Sequence, residues 1–290
     1  MKVSAIILSY NKKADLVECL KSISNLDFSR RELEVIVVDN GSIDGSQEVI
    51  KKSFKEVILI ENRENLGAPC ALNIGFKIAK GKFILKCDDD IILERNSLKI
   101  LANYLQKNPG VGIVGPKNYY KIPRQRIAPA SLNFNLWLGK TILAGNLNEI
   151  HQPDYLQGSC FLFRRKLFKK IGFFDEGFTP WLFDDQDFCY QARRAGSEVL
   201  YYPKAIIWHS DEETAKKRPK KKLVAWYKNK IRFILKNSNL AQIITSLTLQ
   251  FLTLPYYAIF YRDGTATSIL AGFIWNFKIF PKTLAARNKR

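Results

Sequence analysis

The stretch FILKCDDDIIL, residues 83–93, decides how the chain is read. Apolar residues lead into Asp88, Asp89 and Asp90, and apolar residues follow. A short apolar run of this kind suits a strand buried on both faces. The acids at its end repel one another, since two unit charges about 5 Å apart cost roughly 3 kcal/mol at an effective dielectric near 20. That is tolerable in a solvated turn that caps the next helix, or where a cation lies among the carboxylates. Hard oxygen donors suit Mg2+ or Mn2+, ions that commonly bridge protein acids to phosphates.

Upstream, VSAIIL (3–8), LEVIVVD (33–39) and VILIE (57–61) read as three more strands. Helical spacing fills the intervals at 14–26, 45–54 and 68–81, the last ending on Gly81. Four strands alternating with three helices predict an α/β fold with a mostly parallel sheet. Ligands of such sheets bind beyond the carboxyl ends of the strands. There strand one meets Ser9, Tyr10 and Asn11, strand two meets Asp39, Asn40, Gly41 and Ser42, and strand four meets the aspartates. Asp39 at that edge is suited to accept from a base N–H or a ribose hydroxyl, although no GxGxxG cradle is present. Asn65 and Gly67 precede the third helix and Asn73 lies within it; Gly67 would let backbone approach a ligand closely.

Downstream, a helix is expected over 97–106 and a strand over 111–115. Residues 116–157 show no clean period and predict long loops, which are often functional. GSCFLFRRKLFKKIGFFDEGF (158–178) reads as a strand and a short helix, and EVLYYP (198–203) as a late strand. DDQDFCYQARRAG (184–196) is a helix with acids at its start and Arg193 and Arg194 near its end, the favourable sense for the helix dipole. The dipole alone accounts for those acids. A carboxylate beside a nucleophilic hydroxyl is also the common general base, which puts Asp185 forward. His209, following the late strand, is a candidate third metal ligand, and His151 has no such context.

Composition is that of a globular chain, 47% hydrophobic and 25% charged, so wholesale disorder is excluded. The net charge of +19 is uneven: residues 214–290 hold 16 Lys or Arg against one acid, Asp263. The basic run KKRPKKK (216–222) is followed, at 237–261, by a segment with no charge at all. That pairing predicts a membrane surface as partner and no nucleic acid. The segment is long enough to span a bilayer, but Gln242, Ser246, Gln250 and Pro255 favour an in-plane or re-entrant helix. Five scattered cysteines without a CxxC pair argue against a zinc cluster or disulfide scaffold. The apolar run at 3–8 is too short for a signal sequence, so the body is expected in the cytoplasm, on the inner face of the membrane.

Four segments in order resemble the family 2 glycosyltransferases, the inverting class with the GT-A nucleotide-sugar fold, and within it the rhamnosyltransferase-like branch. They are ILSYNK, VVDNGSIDGS, ENLGAPCALNIGFKIAKGKFILKCDDDI, and GSCFLFRRKLFKKIGFFDEGF followed by FDDQDFCYQARRAG. The resemblance implies a GT-A domain at 1–213, with a nucleotide-sugar half at 1–100 and an acceptor half at 101–213, and a membrane-associating tail at 214–290. It implies that Tyr10 and Asp39 hold the nucleoside, with Asn11, Asn65, Gly67, Asn73 and Asp89 completing the donor site. Asp88 and Asp90 would be the outer members of a DxD motif whose Mg2+ or Mn2+ bridges the diphosphate. Asp185 would deprotonate an acceptor hydroxyl on a glycan or lipid-linked acceptor, with Asp184 standing where the family has Glu and Gln191 where an Arg is frequent. A sugar-phosphate nucleotidyltransferase is the alternative. It calls for a glycine-rich basic loop after strand one, and ILSYNKKADL contains no glycine.

Overall fold

The computed structural model describes residues 2–121, 126–210, 220–260 and 264–288. Its first half alternates as the spacing predicts: β1 (Val3–Ser9), α1 (Lys13–Ser24), β2 (Leu33–Asp39), α2 (Ser46–Ser53), β3 (Ile58–Glu61), α3 (Ala68–Ile78) and β4 (Phe83–Asp88). Then come β5 (Ile91–Leu93), α4 (Ser97–Lys107), β6 (Val111–Tyr120), β7 (Ser131–Asn135), β8 (Lys140–Leu143), β9 (Tyr155–Leu156) and β10 (Cys160–Arg164). The chain continues through α5 (Leu167–Ile171), a 3-10 turn at Glu176–Phe178, α6 (Asp184–Arg194) and β11 (Glu198–His209). Helices α7 (Lys220–Asn237), α8 (Leu240–Leu252), α9 (Leu254–Phe260), α10 (Thr265–Lys278) and α11 (Phe280–Asn288) follow.

Eight strands form one sheet in the order β3-β2-β1-β4-β10-β6-β11-β5. β1 pairs in parallel with β2 and with β4, so the chain order reverses between β1 and β4. A ligand crevice is expected at such a reversal. The register aligns Ser9 with Asp39 and Leu8 with Asp88, which puts the three strand-end polar groups on one edge. Beyond β4 the sheet turns mixed: β10 is antiparallel to β4 and β6, and β5 is antiparallel to β11.

Alternate residues of the apolar runs serve opposite faces. Val3, Ala5, Ile7, Phe83 and Leu85 pack with α1 and α4, whereas Ile6, Ile36, Val38 and Ile84 pack with α3, α6 and α7. The first tail helix is thus part of the main core: Phe233 and Ile234 of α7 are fully buried there.

The expectation of loops over 116–157 needs correction. β6 runs through Pro116 to Tyr120, and β7, β8 and β9 form a second, three-stranded sheet. These strands are only five, four and two residues long, and β8 is exposed throughout, too short and too open for a two-residue period to show. The basic run at 216–222 lies largely outside the described residues. The apolar segment forms Leu240–Phe260, with mean hydropathy 1.4 and 11% of its most apolar window buried. It is long and apolar enough to cross a membrane by length and composition.

Candidate active site

Asp39 closes β2 with its side chain fully buried. Its Oδ1 accepts from the backbone N–H of Ser42 at 2.9 Å and of Gly41 at 3.2 Å, and from Gln47 Nε2 at 2.8 Å. Its Oδ2 is buried and without a partner. A buried carboxylate oxygen left without a donor is costly, so this atom fits a ligand N–H or O–H. The turn beside it is latched by Asn11, whose Oδ1 accepts from Ile43 N at 2.9 Å while its own N–H donates to Ser42 Oγ at 2.9 Å. Tyr10 stands next to it at the edge, 45% exposed. Asn65 braces the same turn from below, with Oδ1 accepting from Asn40 Nδ2 and from Gly67 N, each at 3.0 Å.

Two expected donor-site residues are engaged by the loop before α6. The space above Gly67 is filled by protein: a Cβ there would fall 2.7 Å from Thr179 Cγ2, and Ala68 N donates to Pro180 O at 2.6 Å. Asn73 is buried and spent on another loop, with Nδ2 donating to Phe174 O and Glu176 Oε1 and Oδ1 accepting from Phe174 N. Both residues join α3 to the segment before α6, which is a bracing role.

The three aspartates have separate partners. Asp88 is paired with the buried Lys86 ammonium, which also donates to Gly158 O. Asp89 accepts from Ser9 Oγ at 2.8 Å and lies 3.7 Å from Lys12 Nζ. Asp90 is paired with Lys12 at 2.6 Å, and His209 Nε2 lies 3.3 Å from its Oδ1. His209 arrives because β11 pairs with β5 in the register His209 to Ile91. Burial pushes Asp89 up to about 7. Asp90 would rise by burial too, but His209 and Lys12 outweigh it and hold the carboxyl well below its usual range.

Asp184 and Asp185 open α6 on the far side of Lys86. Gly158 makes room: a Cβ there would fall 2.6 Å from Asp185 Oδ2. Burial would lower Lys86, but Asp88 first, and then Asp184 and Asp185, hold it protonated. Burial in turn raises Asp185, and burial with the Asp185 charge raises Asp184 to about 7. Two acid clusters remote in the chain therefore meet across one buried ammonium. Ser9 was read only as a polar residue at the edge, and Lys12, Lys86 and Gly158 were given no role by sequence reasoning. Lys86 did stand out within an apolar run, but its burial depends on β10 pairing alongside.

The donor set tests the metal expectation. Among the described residues no three His, Cys, Asp or Glu side chains converge as ligands of one ion. His209 is a close partner of Asp90, with its Nε2 3.3 Å from a buried carboxylate oxygen that accepts no hydrogen bond. Asp88 and Asp90 do fit an ion that takes one or two protein carboxylates and completes its shell with diphosphate and water.

Residues 4–172 match the family model for Glycosyl transferase family 2, and the chain belongs to that family. Over 177 residues it is 36% identical to poly(ribitol-phosphate) beta-glucosyltransferase of Bacillus spizizenii, covering 55% of this chain and 28% of that protein. The chain therefore spans little more than a quarter of that relative's length. The fold matches S. aureus TarS 1-349 in complex with UDP-GlcNAc with a TM-score of 0.62 and 20% identity, over 99% of this chain and 79% of that one. It also matches the mannosyltransferase PcManGT of Pyrobaculum calidifontis in complex with GDP-Man and Mn2+, with a TM-score of 0.58 and 18% identity, over 95% and 87% of the two chains. This is the GT-A glycosyltransferase fold.

Proposed function

We propose that the protein is an inverting glycosyltransferase that moves a sugar from a nucleotide-diphosphate sugar to a hydroxyl of a glycan or lipid-linked acceptor. The setting is cell-surface polysaccharide or glycoconjugate synthesis at the cytoplasmic face of the membrane, and the rhamnosyltransferase-like branch remains our reading of the four segments. The observation that carries it is the meeting of β4 and α6: Asp185 faces the Lys86–Asp88 pair beside Gly158. Asp39 Oδ2 and the edge residue Tyr10 take the nucleoside. Asp88 and Asp90 would hold Mg2+ or Mn2+, which, when bound, offsets charge on the leaving diphosphate.

Asp185 accepts the proton of the acceptor hydroxyl as that oxygen bonds to the anomeric carbon. The bond from that carbon to the diphosphate oxygen breaks on the opposite face, so configuration inverts. A base must be ionised to act. Burial raises Asp185, so activity is present above the raised value and lost below it, and the acid limb lies above the ordinary carboxylate value of about 4.

Asp185→Asn is expected to lower kcat by about 10²- to 10⁴-fold with donor KM unchanged. Turnover equal to the parent would remove Asp185 from the mechanism. The same assay with a panel of nucleotide sugars, each with and without Mn2+, identifies the donor.

A further inference from the structure

A groove of about 1470 Å³ lies between the body and the last two helices, lined from α5, α6, α7, α10 and α11. Lys170, Arg194, Arg232, Lys282 and Arg287 line it, against a single acid, Asp175. That acid is already engaged by Arg232 at 3.0 Å and by Lys236. Lys170 and Lys282 are exposed and have no acidic partner among the described residues. The Arg232 guanidinium is 4% exposed, and its Nε is buried and unpartnered. Gly177 makes its position available, because a Cβ there would fall 2.3 Å from Nη2. Arg194 and Arg287 donate to the Asn237 and Leu235 carbonyls and Arg232 to Thr283 Oγ1, which fixes these guanidinium groups in the wall and leaves Lys170 and Lys282 facing the groove as its exposed ammonium groups. The groove is also distinct from the transferase site: Arg194 lies at the opposite end of α6 from Asp185, roughly 14 Å along the helix.

The rest of the lining sets the ligand. Trp275, Ile279 and Ala285 give the groove an apolar wall. On the outside of the same two helices Ile274, Phe277, Phe280 and Leu284 are exposed. An inorganic anion would use the cations and leave this apolar surface in water. An amphiphile with a phosphate head uses both, with its head on the cations and its chain along the outer face.

We infer that this groove binds the phosphate head of an anionic membrane lipid and sets the depth and orientation of the enzyme on the bilayer. The inference does not rest on the transferase assignment, and its test reads lipid binding. The full-length protein is floated with phosphatidylcholine vesicles, with and without phosphatidylglycerol. Lys170→Gln/Lys282→Gln is compared with Lys80→Gln/Lys166→Gln, which removes the same charge from exposed positions in a separate basic hollow.

The groove pair is expected to lose about thirty-fold in binding to the phosphatidylglycerol vesicles, for two cations removed at a lipid surface. It should bind neutral vesicles as the parent does, and the control pair should change less than twofold. A urea midpoint equal to the parent's in both pairs shows that both are folded. An equal loss in the control pair would mean diffuse attraction and overturn the inference. So would a groove pair that binds as the parent does. Thermal stabilisation of the parent, but not the groove pair, by inorganic phosphate, with vesicle binding equal in the two, would assign the groove to a free anion and overturn the lipid source.

Discussion

At the scale of single residues, the Lys86 ammonium is the common neighbour of Asp88, Asp184 and Asp185. Replacing it with methionine keeps the volume and strands those carboxylates. Breaking a buried charge pair this way costs about 3–5 kcal/mol, so Lys86→Met should lower the urea midpoint strongly. It should also move the acid limb of activity upward, because Lys86 is what opposes the burial of Asp185. Asp39→Asn tests the other end of the crevice. The amide keeps an oxygen for the turn but offers N–H where Oδ2 stood, so donor KM should rise about 10- to 100-fold with kcat little altered. The placement of Asp39, Asp88 and Asp185 was legible because each lies at the end or start of a clearly patterned element. The partners of the aspartates were not, since spacing places a strand end but not the side chain across from it. Gly67 and Asn73 also serve the loop before α6, a role that only the packing reveals.

At the scale of elements, α6 and α7 are joined by buried charge. Lys236 is wholly buried, paired with Asp187 Oδ2 at 2.7 Å and with Asp175. Gln191 donates to Asn237 Oδ1 at 2.8 Å, so the position where the family often has Arg serves this joint. Burial would raise Asp175, but Lys236 and Arg232 pull it down to about 2. A carboxyl depressed on folding contributes stability above its unfolded value near 4, and that contribution is lost as pH falls through the folded value. About 2 kcal/mol should therefore disappear between pH 4 and 2. Acid titration of urea stability in the parent and in Asp175→Asn checks this: the variant should lack that loss. None of this joint was legible. Lys230, Arg232 and Lys236 add to the basic character of the tail in the sequence, yet all three are buried in α7.

At the scale of the whole molecule, α8 and α9 turn Ile244, Phe251, Leu252, Ile259 and Phe260 outward. So large an apolar face on a chain of net charge +19 suits a surface that is both oily and anionic. Ile244→Asp/Phe251→Asp should weaken vesicle binding at least a hundredfold, at about 1.5–3 kcal/mol for each large side chain kept from the lipid. Sugar transfer to a soluble acceptor should be unaffected, and retention of binding at high salt would mark the apolar share of the attachment.

The antiparallel seam between β4 and β10 has a mechanical consequence. Five register pairs, from Cys160 opposite Cys87 to Arg164 opposite Phe83, stitch the strand bearing Asp88 to the strand that follows Gly158. The strand that ends in Asp88 is therefore tied by a continuous ladder to the strand that follows Gly158, so the two ends of that seam cannot part without breaking it.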